Sequence, residues 1–254
     1  MAVHGHLLKA LEANDNSSNG LKLGDERRLA LRLSALLHDA DDKKYFKTHT
    51  TKENATRIVA TATAGSDFDC KRITNEVMEM IGYVSFSDNG NSIPPRAAKS
   101  PEFLWPRYSD RLEAIGPIGA VRCYQYNEEV KRPKFIESTP RPKTREELWS
   151  FVTPERLTGY MTRKDSESMM DHYFDKLLQI AAFDPSVVRN NYLTEQQRER
   201  VEPLVKICLQ WGKTGKVPEK LIKSYDTDAS NSADKKLTGE IKEKSVSNSK
   251  PAIT

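Results

Sequence analysis

The hydrophobic positions of this chain recur mainly three and four residues apart, which is the period of an amphipathic α-helix. Val3, Leu7, Ala10 and Leu11 follow this spacing and predict a helix at the start of the sequence. The turn-forming residues "NDNSSNG" at 14–20 end that pattern. The first predicted element is therefore a short helix.

A second apolar run predicts a helix that Asp25 can cap. Its apolar positions are Leu29, Leu33, Leu36 and Leu37. The run leads directly into His38, so an ionisable side chain stands at the predicted end of a buried helix.

The same spacing predicts helices at 51–63 and 71–87, at 110–130 with a kink at Pro117, and at 166–183 and 194–212. The apolar stripe of 71–87 consists of Ile73, Val77, Met80 and Ile81. The prolines between these helices predict a broken, extended connection, and they are Pro94, Pro95, Pro101 and Pro106. The pattern therefore favours an all-α protein.

Two segments depart from this helical pattern. Residues 131–157 are proline-rich and polar, which predicts an excursion over the surface that could act as a lid beside a site. After Tyr225 the sequence contains almost nothing to bury, which predicts disorder. We expect one helical domain over 1–224 and a disordered polar tail over 225–254.

Composition narrows the class of protein. The 254 residues are 37% hydrophobic and 30% charged, enough for an ordinary core in one domain. The net charge of +4 comes from interspersed charges, so we expect no nucleic-acid partner. We expect no membrane association and a cytoplasmic location, with the nucleus not excluded, because the sequence shows neither a spanning apolar run nor a signal peptide. The three widely spaced cysteines suit a reducing compartment.

The candidate chemistry begins with the adjacent pair His38 and Asp39. An imidazole and a carboxylate can hold one divalent cation if other helices supply the remaining ligands. A His-Asp dipeptide alone more often caps a helix and joins a surface ion pair, so its meaning depends on the rest of the sequence.

The stretch "ALLHDADDKKYF" at 35–46, followed some seventy residues later by "DRLEAIGPIGA" at 110–120, resembles the HD-domain superfamily of metal-dependent phosphohydrolases. The closer resemblance is to the bacterial and fungal nucleotide-pyrophosphohydrolase-like branch. The stretches "VSFSDNG" at 84–90 and "MMDHYFDKLLQI" at 169–180 extend the similarity, which covers about residues 1–212. It implies an HD-domain helical bundle with a central metal site.

The resemblance also implies a set of site residues. It assigns His38, Asp39 and Asp110 as ligands of one divalent metal ion, which could be Mn, Fe, Ni or Mg. One ion is expected rather than two, because Val84 stands where many relatives carry a further His. The family's first ligand is a His that begins an earlier helix.

Two alternatives for that first ligand stay open. If Val3, Leu7 and Ala10 or Leu11 are the helix's apolar stripe, the ligand falls about two residues ahead of Met1. Otherwise His6 or His4 is a substitute, and we take His6 as the provisional ligand.

The remaining candidates concern the substrate. Asp42 is a candidate to orient or deprotonate a water, being three residues after Asp39 and on the same side of a continuing helical turn. Lys44 and Arg111 are candidates for contacting a phosphate, as is Arg122, although each of these cations could equally be solvated. His172 could face a substrate, but a structural or surface role is about twice as common, and His49 is most simply a loop residue.

The expected function is hydrolysis of a small phosphorylated metabolite, most simply a nucleotide, by attack of a metal-bound water on phosphorus. The alternative is a catalytically impaired HD-fold protein that acts as a binding or scaffold module. A helical interaction domain with an accidental motif match is a third interpretation, which two motifs in the family's order disfavour. The sequence indicates neither the exact substrate nor the oligomeric state.

Overall fold

The computed structural model describes residues 2–42, 45–48, 52–163 and 165–226 of the chain. Every regular element in these residues is helical, and they contain no β-strand. The all-α prediction is therefore confirmed. None of the helices in this part of the chain is both long and apolar enough to cross a bilayer.

The helices have the following bounds: α1 Ala2–Asp15, α2 Asp25–Leu37, α3 Glu53–Thr63, α4 Cys70–Val84, α5 Phe86–Asn89, α6 Pro95–Lys99, α7 Trp105–Ala114, α8 Gly116–Glu129, α9 Arg145–Ser150, α10 Pro154–Arg163, α11 Met169–His172, α12 Leu178–Ala181, α13 Pro185–Val188, α14 Asn191–Thr214 and α15 219–226. A 3₁₀ turn at Pro101–Leu104 lies between α6 and α7, and a π-helical turn at Tyr173–Leu177 joins α11 to α12.

Helix α7 lies at the centre of the domain. It packs against α1, α2, α4, α8, α12 and α14. Trp105 and Leu112 are fully buried, and the Trp105 indole N–H donates to the Val188 carbonyl at 2.9 Å. The bundle is therefore built around the element that carries Asp110.

The predicted extended connection over the prolines is wrong. Pro95, Pro101 and Pro106 each stand in the first two positions of a helical element. The backbone N–H that proline lacks has no intrahelical partner there, and its fixed φ suits a helix start. These prolines begin helices rather than preventing them.

The predicted single helix over 110–130 is divided in two. Ile115 adopts an extended conformation and Gly116 has φ of +87°, so α7 ends and α8 begins in a new direction. Pro117 lies in the first turn of α8 instead of kinking a continuous helix. The glycine, which tolerates positive φ, makes this sharp break possible.

The predicted second helix is confirmed, but part of its stripe is wrong. Gly24, not Asp25, occupies the N-cap. Asp25 lies in the first turn, where its negative charge stabilises the helix by interacting with the positive end of the helix dipole. Leu33 and Leu37 are buried, whereas Leu36 is 51% exposed. The stripe Ile73, Val77, Met80 and Ile81 on α4 is buried as predicted.

An ion-pair network around two buried carboxylates joins α2, α4, α6 and the 3₁₀ turn. Arg27 donates to both carboxylate oxygens of Glu76 at 2.9 Å and also pairs with Glu102. Arg96 reaches Glu76 at 3.1 Å. The guanidinium carbons of Arg27 and Arg96 each lie 4.4 Å from the centroid of the Phe103 ring. These contacts compensate for burying charge, because each carboxylate has a cationic partner.

The proline-rich segment 131–157 is attached to α14. The Trp211 indole N–H donates to the Pro140 carbonyl at 2.8 Å, and the Phe135 ring lies 4.6 Å from that of Trp211. The segment also contains α9 and the start of α10. These attachments do not support a lid that closes over a site.

The cysteines are unpaired, and helix α15 reaches Asp226. Cys70, Cys123 and Cys208 are all free thiols. Tyr225 and Asp226 belong to α15, so the helical domain extends two residues beyond the predicted boundary. The rest of the predicted tail, 227–254, lies outside the described residues.

Gly212 tests the attachment of the proline-rich segment. A Cβ there would lie 1.7 Å from the Pro142 carbonyl oxygen, a backbone atom, so Gly212→Ala should lower the free energy of unfolding by about 2–3 kcal/mol. The matched control is Gly82→Ala on α4, where a Cβ meets nothing within 4 Å and should raise it by about 0.5–1 kcal/mol. Urea unfolding of both variants measures the difference, and equal effects would contradict the close contact.

Candidate functional site

His38 immediately follows α2 and has its ring fixed by the backbone. The Nδ1 atom lies 3.0 Å from the Ala35 carbonyl oxygen and donates to it. This hydrogen bond directs Nε2 away from α2. The side chain of His38 is only 12% exposed.

Two carboxylates approach the outer nitrogen of this ring. Asp39 Oδ2 lies 3.2 Å from His38 Nε2, and Asp110 Oδ1 on α7 lies 3.6 Å from it. The structure therefore brings together the three side chains that the sequence motifs predict as a group, although Asp110 is some seventy residues from His38 and Asp39 along the chain.

The two carboxylates make His38 a stronger base. Burial lowers the pKa of His38, but hydrogen bonds and charges from Asp110 and Asp39 outweigh it and raise the pKa to about 10. Without a metal ion the imidazole is a cation at neutral pH, and a metal ion bound at Nε2 would displace that proton. The two carboxylates thus create a place that favours positive charge.

The donor types and spacings suit a divalent cation only in part. Two donors about 2.1 Å from one ion lie roughly 3.0–3.5 Å apart at tetrahedral or octahedral angles, close to both His38 distances. However, the Asp39 side chain is 75% exposed, which leaves the set open toward solvent. Among the residues with described positions, no cluster of three or more His, Cys, Asp and Glu side chains could hold a metal ion as it stands.

The segment after Asp39 forms turns instead of continuing the helix. Asp42 N–H donates to the Asp39 carbonyl at 3.2 Å, so the predicted helical placement of Asp42 is wrong. Its role toward water stays a prediction. Lys44 and His49 lie outside the described residues.

Asp41, which the sequence analysis did not select, stabilises the start of α3. Its carboxylate accepts from the Asn54 and Ala55 backbone N–H groups, each at 2.9 Å. Lys52 at the N-cap of α3 has no capping side chain. Because Lys52 is not a capping residue, the sequence indicates only that the start of α3 needs a hydrogen-bond acceptor from elsewhere in the chain.

His6 lies in a separate group of polar side chains. Its Nε2 is 2.8 Å from Glu113 Oε1 and its Nδ1 is 2.7 Å from the Tyr192 hydroxyl, so it links α1 to α7 and α14. Both ring nitrogens are thus already engaged. His4, the other candidate, has a buried Nε2 with no hydrogen-bond partner among the described residues.

Arg111 is buried in the core of the bundle. It is 3% exposed and donates to the Asn91 side chain at 2.9 Å and to the Gly90 carbonyl. These bonds hold the loop between α5 and α6 against α7. Contact with a substrate stays a prediction for this residue.

A groove of about 610 Å³ lies between α8 and the helix that contains the π-turn. The volume falls within the usual range of small-molecule sites. One of its lining residues is Ala114, four residues after Asp110 on α7. The other lining residues are Gly119, Arg122, Cys123, Gln125, Tyr126, Glu129, Arg132, Tyr160, Asp165, His172, Lys176 and Leu177.

The π-helical turn directly follows His172, at the wall of this groove. Turns of this kind occur frequently at functional sites. His172 Nδ1 lies 3.3 Å from the Ser166 hydroxyl, and its ring meets that of Tyr160 edge-on at 5.7 Å. Burial, with the nearby charges of Lys176 and Arg132, lowers the pKa of His172 to about 3. The ring is therefore neutral at neutral pH.

His172 should make stability depend on pH. Because its pKa is about 3 in the folded chain and 6.5 for an ordinary histidine, only the unfolded chain takes up this proton below pH 6.5. The free energy of unfolding should then fall by up to about 1.4 kcal/mol per pH unit between pH 6.5 and 3. His172→Gln, which cannot titrate, should show a shallower decline in urea unfolding measured from about pH 7.5 to 5. Identical slopes would contradict a buried neutral imidazole.

Comparison with known proteins identifies relatives of the chain. No protein-family model matches it. A crystal structure of a Lactobacillus plantarum protein from structural genomics aligns with a TM-score of 0.47 and 18% identity, covering 83% of this chain and 86% of that one. The uncharacterized protein L803 of Acanthamoeba polyphaga mimivirus is 35% identical over 212 residues, which are 81% of this chain and 83% of the viral protein. The chain belongs to the same protein family as this viral protein.

Proposed function

We propose that the protein is a metal-dependent phosphohydrolase of the HD superfamily that acts on a small phosphorylated metabolite, most simply a nucleotide. The observation that carries the proposal is the convergence of Asp39 and Asp110 on the outer nitrogen of His38. These are the side chains that the resemblance to HD phosphohydrolases assigns as metal ligands. They come from two helix regions far apart in sequence, which an accidental motif match would not require.

The hydrogen bond from His38 Nδ1 to the Ala35 carbonyl supports the same assignment. Metal-binding histidines commonly donate their other ring nitrogen to a carbonyl or carboxylate, which fixes the ring orientation. His38, Asp39 and Asp110 would hold one divalent cation. When bound, such a cation supplies an acidified water and a positive charge for phosphoryl oxygens.

Other side chains of the protein would activate the water and bind the substrate. Asp42 is close along the chain to Asp39 and would orient or deprotonate the attacking water. Lys44 would contact a phosphate oxygen of the substrate. Asp110 is held on the central helix, so its carboxylate keeps a fixed position relative to His38.

Asp110→Asn tests the proposal with little change in side-chain shape. Because the neutral amide is a poorer ligand than a carboxylate, the variant should lose bound metal and lower phosphate release by about 100-fold or more. The assay uses the full chain with Mn²⁺ and a panel of nucleotides, with metal content measured separately. Asp67→Asn, at an exposed position between α3 and α4, is the matched control and should behave as the unaltered protein.

Two results would count against the proposal. If the unaltered protein retains no transition metal and releases no phosphate from any nucleotide, it is not this enzyme. If it does hydrolyse nucleotides but Asp110→Asn is equally active, the site has been assigned to the wrong residues.

A non-catalytic binding module is the second candidate. The engagement of both His6 nitrogens with Glu113 and Tyr192 favours it, because the provisional fourth ligand then has another role. Metal or nucleotide binding without phosphate release under any condition would support this alternative.

A further inference from the structure

We infer that the groove between α8 and the π-turn is a nucleotide-binding subsite, in which Arg122 and Lys176 bind the phosphates. This inference deepens the proposed function by giving the substrate a location. Binding itself requires neither a metal ion nor hydrolysis, so it can be tested separately.

The charges in the groove favour an anion at one end. Arg132 is neutralised by Asp165, with Nη2 and Oδ1 2.6 Å apart. Neither Arg122 nor Lys176 forms an ion pair with any carboxylate in the described parts of the chain, and the Lys176 ammonium lies 5.6 Å from the Tyr160 ring centroid. Two cations facing one cavity without counter-ions attract a phosphate more strongly than either alone.

Glu129 also lines the groove, at its other end, and forms no ion pair with any described residue. Glu129 is seven residues beyond Arg122 on α8, which is about 10.5 Å along the helix. Arg122 lies on the N-terminal side of Glu129, six residues or about 9 Å beyond the start of α8 at Gly116. The groove therefore has a defined polarity.

The anion-favouring end is also the end nearest to Asp110. Ala114 lines the groove and is one helical turn, about 6 Å, beyond Asp110 on α7. A ligand whose terminal phosphate extended past Arg122 would approach the residues proposed to hold the metal. The two sites can thus share one substrate.

The other half of the groove suits a nucleoside. Tyr126 is 56% exposed and follows Arg122 by one turn of α8, while Tyr160 forms part of the opposite wall. An exposed aromatic ring at this spacing can stack on a base without selecting its identity. Neutral His172 adds a polar contact without charge.

Cys123 does not suggest a different chemistry for the groove. Burial raises the pKa of its thiol to about 12, despite the opposing charges of Arg132 and Lys176. Because the thiolate is the nucleophilic form, this cysteine is inert at neutral pH.

The test measures binding of ADP to the full chain by calorimetry, in EDTA and again with Mn²⁺. Lys176→Met removes the charge but keeps an apolar stem, and should weaken ADP binding by about tenfold or more. Arg122→Gln, at an exposed position, should do the same without affecting folding. Lys176→Arg should retain binding, and Lys213→Met, an exposed lysine on α14, is the matched control.

Each outcome decides the inference. Weaker binding in the two groove variants, with Lys213→Met unchanged and adenosine binding poorly, supports a phosphate subsite. Absence of ADP binding in both conditions, or equal losses in groove and control variants, overturns it. Specific ADP binding without phosphate release from any nucleotide would retain the subsite and overturn the proposed hydrolase.

Discussion

Helix α7 is enclosed by other helices, so its polar side chains need partners inside the protein. Arg107 and Arg111 are 1% and 3% exposed. Arg107 donates to the carbonyls of Tyr83 and Ser92, at 2.6 and 2.8 Å, and Arg111 donates to Gly90 and Asn91. Burial lowers the pKa of both guanidinium groups, that of Arg111 to about 10, so each still keeps its charge at neutral pH. Arg107 Nη2 and Arg111 Nε are buried without a hydrogen-bond partner among the described residues. The hydrogen bonds from Arg107 and Arg111 hold the loop between α5 and α6 against α7.

This fixed helix gives the candidate site its rigidity. Asp110 stands between Arg107 and Arg111 in sequence but lies on the side of α7 that reaches the end of α2. His38 is directed toward it by a backbone carbonyl, so neither side chain depends on a mobile loop for its position. The break at Gly116 then turns the chain so that Arg122 faces a cavity one turn from Asp110. Asp110, proposed to bind a metal ion, and Arg122, proposed to bind a phosphate, thereby lie on two consecutive helices.

Much of the fold was predictable from apolar spacing, and the failures have identifiable causes. The stripe on α4 was correct because burial against neighbouring helices imposes a strict period. The prediction at the prolines fails because proline interrupts a helix at an interior position but is favoured in the first turn. The spacing of apolar residues does not distinguish these two positions. The break at Gly116 was missed because it depends on a positive φ, which composition does not reveal.

The candidate site was predictable to a different extent. The grouping of His38, Asp39 and Asp110 followed from two motifs whose side chains the fold brings together. The sequence does not single out Lys176, because the feature that distinguishes it, the lack of an ion pair with any described carboxylate, is visible only in three dimensions. The same limit applied to Asp41, whose hydrogen bonds reach thirteen and fourteen residues along the chain.

The π-turn after His172 makes the length of this helix segment important. Such a turn corresponds to one residue added to an α-helix. Deleting one residue from 173–177 would let the segment wind as a regular α-helix, in which four residues turn about as far as five do in the wider π-turn. Buried Leu178, Ile180 and Ala181 would then keep their directions, and the change would be confined to the widened turn itself. A sequence alignment that opened a single-residue gap here would thus mark a change in the groove's wall, even where every named side chain was retained.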